Sequence, residues 1–201
     1  MKKHLKGLAL ILMMIGISSI GYAQTIYRIQ DNKNVSMKLN GTSTFHDWEM
    51  DATRAKGEAQ LIFSTTNESE LASIKALSFT LEVKDLKSDN SKLDKNAYKA
   101  LKADKYKYIS YKLTSSEESP EKGGFLLKTR GKLTIAGTTK DIAMDIHLII
   151  NQNTAITYKG SYELNMTDYN VEPPSFMLGA MSTGDALKLD FEVKYIKQNK
   201  G

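Results

Sequence analysis

The sequence predicts an all-β fold with one helix, an antiparallel closed β-barrel of about eight strands. Three observations predict it. Apolar residues alternate with polar ones through nearly all of the chain after residue 25, the period of strands with one buried and one wet face. Only one segment, Lys92 to Ala103, carries helical spacing. The strands follow one another through short turns without βαβ alternation, and closing such a sheet is the way to leave no free edge.

Ahead of the barrel, residues 1–23 read as a secretory signal. Lys2, Lys3 and Lys6 give a cationic start, and Leu8 to Ile20 gives an apolar core. That core is short of the roughly 20 residues a stable span needs. Gly21-Tyr22-Ala23 puts small residues before the expected cleavage ahead of Gln24. The mature protein, residues 24–201, is then expected as a single domain in the periplasm or outside the cell. Its loss of three lysines leaves 25 basic against 23 acidic residues, so the +5 of the full chain falls to +2. With only three arginines and no concentrated basic patch, nucleic acid is not an expected partner. The absence of cysteine excludes disulfides, thiol catalysis and a lipid-modified N-terminal cysteine.

The strands are justified in order by their alternation. Val35, Met37 and Leu39 lie on one face, and Trp48 to Phe63 reads as one longer strand bent at Gly57. Leu77, Phe79, Leu81 and Val83 form the next set. Ser91 is placed to cap the helix, with Asp94 closing a capping box, and Leu93, Ala97, Ala100 and Leu101 share its apolar face. Ile109, Tyr111 and Leu113 follow, and then Ser115 to Gly124, with Pro120 and Gly123-Gly124, reads as a polar loop. Phe125, Leu127 and Thr129 run on to Leu133 and Ile135, and the Ala136-Gly137-Thr138-Thr139 turn leads to Ile142, Met144, Ile146, Leu148 and Ile150. Ile156, Tyr158, Tyr162, Leu164 and Met166 precede a gap at residues 170–184, where Pro173 and Pro174 end regular pairing. Leu187, Leu189, Phe191, Val193 and Tyr195 close the chain.

Catalytic signatures are absent: no GxSxG, P-loop, GxGxxG or HExxH occurs. His46 precedes Asp47, but neighbours on a strand face opposite ways and make no acid/base couple. His147, beside Asp145, falls on the wet face. A metal site on these two histidines lacks a third ligand at any recognisable spacing. Neither catalytic residues, metal nor cofactor are expected. Glu117, Glu118 and Glu121 read as solvated, and the lysines at 92, 95, 99, 102, 105 and 107 offer at most a transient contact with an anionic membrane surface.

The inward positions are large and apolar: Phe79, Leu81, Val83, Phe125, Leu127, Leu133, Met144, Ile146, Tyr162, Leu164, Phe191 and Val193. An eight-stranded barrel is just wide enough to be filled by such side chains or to hold one small ligand, and periodicity leaves both readings open. Phe176, Met177, Leu178 and Met181 lie in the irregular gap. They serve either as a plug at one barrel end or as a lid over a mouth.

Three segments in order carry a resemblance. Gly41 to Trp48 (GTSTFHDW) resembles the early His-x-Trp strand region of the YceI-like family. Leu93 to Lys102 with Tyr106 to Tyr111 is similar to that family's helix and following strand, and Gly131 to Lys140 (GKLTIAGTTK) to its G-x-L-T-I-x-G-x-T-K hairpin. The chain departs from the pattern at Lys107, where proline is common, and at Leu164 to Tyr169, which lacks an arginine before Asp168. The resemblance implies a lipocalin-like barrel with an elongated apolar tunnel, exported and non-catalytic. It implies binding of a polyisoprenoid or another long-chain apolar molecule, such as a quinone or fatty acid. The competing expectation is a packed-core barrel acting as an interaction or envelope-stress module, and a third is a small hydrolase or isomerase using His46.

Overall fold

The alternation builds one antiparallel sheet that closes on itself. The computed structural model describes residues 22–30, 32–52, 54–64, 70–152, 154–176 and 180–198. Its elements are β1 (Tyr22–Arg28), β2 (Val35–Ser43), β3 (Trp48–Ala52), β4 (Lys56–Ser64), β5 (Leu71–Glu82), β6 (Leu86–Lys87), α1 (Ser91–Ala100), β7 (Tyr108–Glu121), β8 (Gly124–Ile135), β9 (Thr138–Asn151), β10 (Ala155–Asn165), β11 (Ser175–Phe176) and β12 (Met181–Lys197). Eight strands form a circuit, β1-β4-β5-β7-β8-β9-β10-β12. It closes where Tyr27 and Arg28 meet Lys197 and Ile196. The fold is a lipocalin-like barrel, all-β with one helix.

The length of β12 gives the barrel its asymmetry. Its last residues pair with β1, while Thr183 to Val193 pair with β2 along the same edge. Strand β3 adds to β2, and β6 to β3. One end, called the floor, is therefore walled by β1 and β4, and the other, the upper end, by β2 and β3. Tyr22 and Ala23 pair with Ser64 and Phe63, so the expected cleavage falls two residues into β1 and leaves the pairs from Gln24 to Arg28 intact.

The floor is solid. Leu61, Leu127, Leu148 and Ile156 are fully buried, and the Tyr27 and Phe63 rings meet edge to face at 6.4 Å. Each such aliphatic side chain contributes about 1.5–3 kcal/mol of burial. Beside them, Gly57 is required by close approach. A Cβ there would lie 2.5 Å from Tyr195 Oη and 2.9 Å from Ile29 Cδ1.

The helix is shorter than its spacing predicts and is fastened differently. Asn90, not Ser91, is its N-cap, accepting from the Lys92 and Leu93 main-chain N–H groups. Asp94 is buried and accepts instead from the Ser88 N–H at 2.8 Å and the Ser88 hydroxyl at 2.7 Å. The helix ends at Ala100 because Lys102 turns left-handed (φ 53°). There the Ala103 N–H reaches Tyr98 O and the Lys102 N–H reaches Lys99 O, a Schellman closure.

Three further expectations are corrected. Ser115 to Gly124 is no loop: β7 and β8 run on as a hairpin whose turn is Lys122-Gly123, with Gly123 at φ 85°. A register shift between Leu113 and Ser115 breaks the alternation there, which hides the strand in a polar composition. Trp48 to Phe63 is two strands, the first ending at Ala52 and the second beginning at Lys56, rather than one strand bent at Gly57. The irregular gap closes earlier than residue 184, because β12 already begins at Met181 and pairs with β11 there.

Candidate functional site

Above the solid floor the barrel interior is hollow. A cavity of about 420 Å³ is lined by the upper halves of the strands and by α1. Each strand contributes through its inward parity: Met37 and Leu39 from β2, Phe79 and Leu81 from β5, Leu133 from β8, Met144 and Ile146 from β9, Leu189 and Phe191 from β12. The helix lies across the upper end. Its Leu93, Ala97 and Leu101 pack on Met50, Ala52, Leu81 and Leu86, so one helical face completes the wall that β6 is too short to build.

Lining residues that are also exposed mark the mouth. Thr44, Phe45 and His46 stand on the β2–β3 loop, Asn90 and Lys92 at the start of α1, and Ser182 at the start of β12. Among the described residues no carboxylate lines the cavity, and the single lysine that does is Lys92 at this rim. Phe45 keeps 69% of its surface exposed. His46 Nδ1 lies 2.9 Å from the Asp47 main-chain oxygen, so its partner is not the Asp47 carboxylate. His147 sits at the other end of the barrel, 2.8 Å from Glu121 Oε1, and the structure does not bring the two histidines together.

At the inner end lie three tyrosines, Tyr111, Tyr158 and Tyr195. The Tyr195 hydroxyl donates to Ser78 O at 3.1 Å. Tyr111 reaches Thr129 Oγ1 at 3.4 Å, and that hydroxyl donates to Met144 O. Tyr158 packs edge to face on Tyr195 at 5.3 Å, and its buried hydroxyl meets no partner among the described residues. Burial, reinforced by the nearby Tyr195 and Tyr27 phenols, holds Tyr158 well above the usual tyrosine range. Burial raises Tyr195 as well.

Of the inward residues expected from the sequence, Phe79, Leu81, Leu133, Met144, Ile146, Tyr162, Leu164, Phe191 and Val193 line the cavity. Phe125, Leu127 and Val83 do not. Phe125 and Leu127 belong to the solid floor, because their half of β8 lies below the hollow, and Val83 sits in a short 3-10 turn after β5. Met181 lines the mouth, whereas Met177, Leu178 and the side chain of Phe176 lie outside the described residues. Trp48, Tyr158, Leu189 and the helix face were missed as lining residues. For Tyr158 and Leu189 the signal was present, since each shares parity with an expected neighbour.

Solved structures share this architecture. BcnA from Burkholderia cenocepacia superposes with a TM-score of 0.62 at 14% identity, covering 82% of this chain and 98% of its own. A polyisoprenoid-binding domain from Saccharophagus degradans, implicated in plant cell wall breakdown, gives 0.65 at 10% identity, covering 86% and 98%. The Campylobacter jejuni YceI protein gives 0.53 at 20%, covering 72% and 82%. At these identities the likeness is one of fold. No curated protein sequence gives a match. The YceI-like domain model, however, matches residues 27–195, and with that span of matched sequence the chain belongs to the YceI-like family.

Proposed function

We propose that the protein binds one elongated apolar molecule, a polyisoprenoid or another long-chain lipid, and carries or sequesters it without chemical change. The observation that carries this reading is the cavity, about 420 Å³ of space walled by aliphatic and aromatic side chains, with Lys92 at the rim. A pocket of that size and polarity binds by desolvation and dispersion. The polyisoprenoid-binding domain from Saccharophagus degradans, of the same fold, supports it. The rival reading, a packed barrel acting through its surface, needs a filled interior, and only the floor is filled.

Residues 1–23 are proposed to direct export and to be removed after Ala23, placing the protein in the periplasm or outside the cell. At the mouth, exposed Phe45 and Lys92 are proposed to touch an anionic membrane surface transiently, where apolar cargo resides. Phe176, Met177, Leu178 and Met181 are proposed as a lid above that mouth. The test is mass spectrometry of organic extracts from gently purified protein, followed by titration of the stripped protein with the extracted molecule. Trp48, the only tryptophan, lines the cavity and serves as the fluorescent reporter. A stoichiometric long-chain lipid is expected. Protein that yields no lipid and takes none back in titration overturns the reading.

A further inference from the structure

Backbone pairing does not run the full height of the barrel wall. Strands β9 and β10 pair only from Ala155 opposite Asn151 to Gly160 opposite Ile146. Above that point β9 stays with β8, from Asp145 to Thr138, and β10 stays with β12, from Ser161 to Asn165. The two facing edges form no ladder with each other at the height of the cavity. On the outer side a polar groove follows this gap, lined by Lys140 and Asp141 of β9, Glu163 and Asn165 of β10, and Asp168. Ile142, Tyr162, Leu164 and Tyr169 line both the groove and the cavity, so side chains rather than paired backbone divide the two spaces. We propose that the gap between β9 and β10 is a side opening of the cavity, through which the apolar chain of the cargo passes in parallel with the mouth at Phe45. This rests on the reading of the cavity as a lipid site.

The surroundings of the gap show how it is shut. Elsewhere in the wall, parting two strands breaks a row of backbone hydrogen bonds. Here it takes side-chain rotation and a shift of one short segment, the 3-10 turn Thr167–Tyr169, which carries the buried Tyr169. The start of that turn is fixed to β12. The Thr167 N–H and hydroxyl donate to the Asp185 carboxylate at 2.9 and 2.6 Å. Its far end reaches across the gap, where Asn170 Nδ2 donates to Thr138 Oγ1 of β9 at 3.0 Å. Asn170 is exposed and Thr138 half-buried, so water competes for this bond and its opening is inexpensive. The turn is thus hinged on β12 and latched to β9, with Tyr169 as the shutter. Opening the latch leaves every strand pair of the barrel in place.

The experiment loads stripped full-length protein with cis-parinaric acid, a fluorescent polyene fatty acid, and follows its release to phosphatidylcholine vesicles. The chain has no cysteine, so in a Thr138→Cys, Asn170→Cys double variant a bifunctional methanethiosulfonate bridges only these two thiols. Bridging is expected to slow release severalfold, and reduction of the bridge to restore it. Thr138→Val, which keeps the side-chain shape and removes the acceptor, is expected to speed release roughly two- to tenfold, the scale of one hydrogen bond. Asn170→Gly, suited to the left-handed backbone at φ 55°, should repeat this from the other partner. A gate changes uptake and release alike, so the Kd of both variants should match wild type. Release that ignores the bridge overturns the inference by leaving the mouth as the route. A Kd that moves with the rate also overturns it, because the pair then shapes the bound state. If wild-type protein takes neither the probe nor the lipid extracted from it, the lipid-site reading itself falls, and this inference with it.

Discussion

The indole of Trp48 lies over Gly41, its cross-strand partner between β3 and β2, so closely that a Cβ at residue 41 would overlap the ring. The Trp48 Nε1–H donates to Thr42 O at 3.0 Å, which fixes the indole against the strand. That arrangement turns the tryptophan into part of the cavity wall. Gly41→Ala should displace the ring, break this hydrogen bond and destabilise by about 1–3 kcal/mol, the usual consequence of overpacking. Trp48 emission should shift in the ligand-free protein, and cargo should bind more weakly. A variant with unchanged emission and melting temperature would contradict the close packing.

The division of the barrel into a solid floor and a hollow upper end predicts opposite responses to one kind of substitution. Leu127 is fully buried in the floor, whereas Met144, on the adjacent strand β9, lines the cavity. Leu127→Trp adds volume where there is none and should destabilise by roughly 1–3 kcal/mol or more, with cargo capacity intact in whatever folds. Met144→Trp should fold with near-normal stability and lose bound lipid. Thermal melts and lipid mass spectrometry on both variants decide it.

Much of this was legible in the sequence, and the limits have physical causes. Alternation at Phe79, Met144 and Phe191 identified inward faces correctly, because parity is fixed by strand geometry. Alternation carries no height, so it could not tell Leu127 in the floor from Leu133 in the cavity wall six residues along the same strand. Parity already included Tyr158 among the apolar positions, but nothing in the spacing shows that its hydroxyl goes unmatched while that of Tyr195 finds Ser78. The hairpin at Ser115 to Gly124 was lost to a bulge, which shifts parity without leaving a mark in composition.

Asp94 ties the helix to the barrel. Its carboxylate accepts both the N–H and the hydroxyl of Ser88 and stands 3.8 Å from Lys87 Nζ, while Leu93 and Ala97 on the same helix close the cavity. Asp94→Ala leaves the half-buried Ser88 N–H without its acceptor, while the Ser88 hydroxyl keeps Asn90 O, and should destabilise by about 1–3 kcal/mol. The barrel strands do not depend on this contact. Hydrogen exchange should therefore rise first in residues 88–105, with β8 and β9 protected as before. Uniform loss of protection across the strands would show that the helix is no separable cover.

The buried phenols set a limit in alkali. Folding raises Tyr158 and Tyr195 above the ordinary value of 10.0, chiefly by burial. A group whose folded pKa is raised contributes stability that is complete below its unfolded value and is lost as pH rises above it. Stability should therefore be flat to about pH 9 and fall beyond pH 10. Phenolate absorbance should show these two tyrosines resisting ionisation until the barrel unfolds. Native protein in which every tyrosine titrates near 10 would refute their burial.

Membrane delivery makes the final demand on the mouth. Phe45 is 69% exposed on the β2–β3 loop, and the nearby helix presents exposed Lys92, Lys95 and Lys99. An exposed phenylalanine contributes little to folding, so Phe45→Ser should leave the melting temperature unchanged within about 0.5 kcal/mol equivalent. If the rim meets anionic lipid headgroups, the same substitution slows lipid transfer from anionic vesicles severalfold by removing the apolar contact. Lys92→Glu should slow it further at low salt, and the difference should shrink once ionic strength shortens the Debye length to about 8 Å. Neutral vesicles should show the Phe45 effect without the Lys92 effect. Transfer rates that ignore both substitutions would mean that cargo reaches the cavity through free solution or from another protein, and that the rim plays no part in its capture.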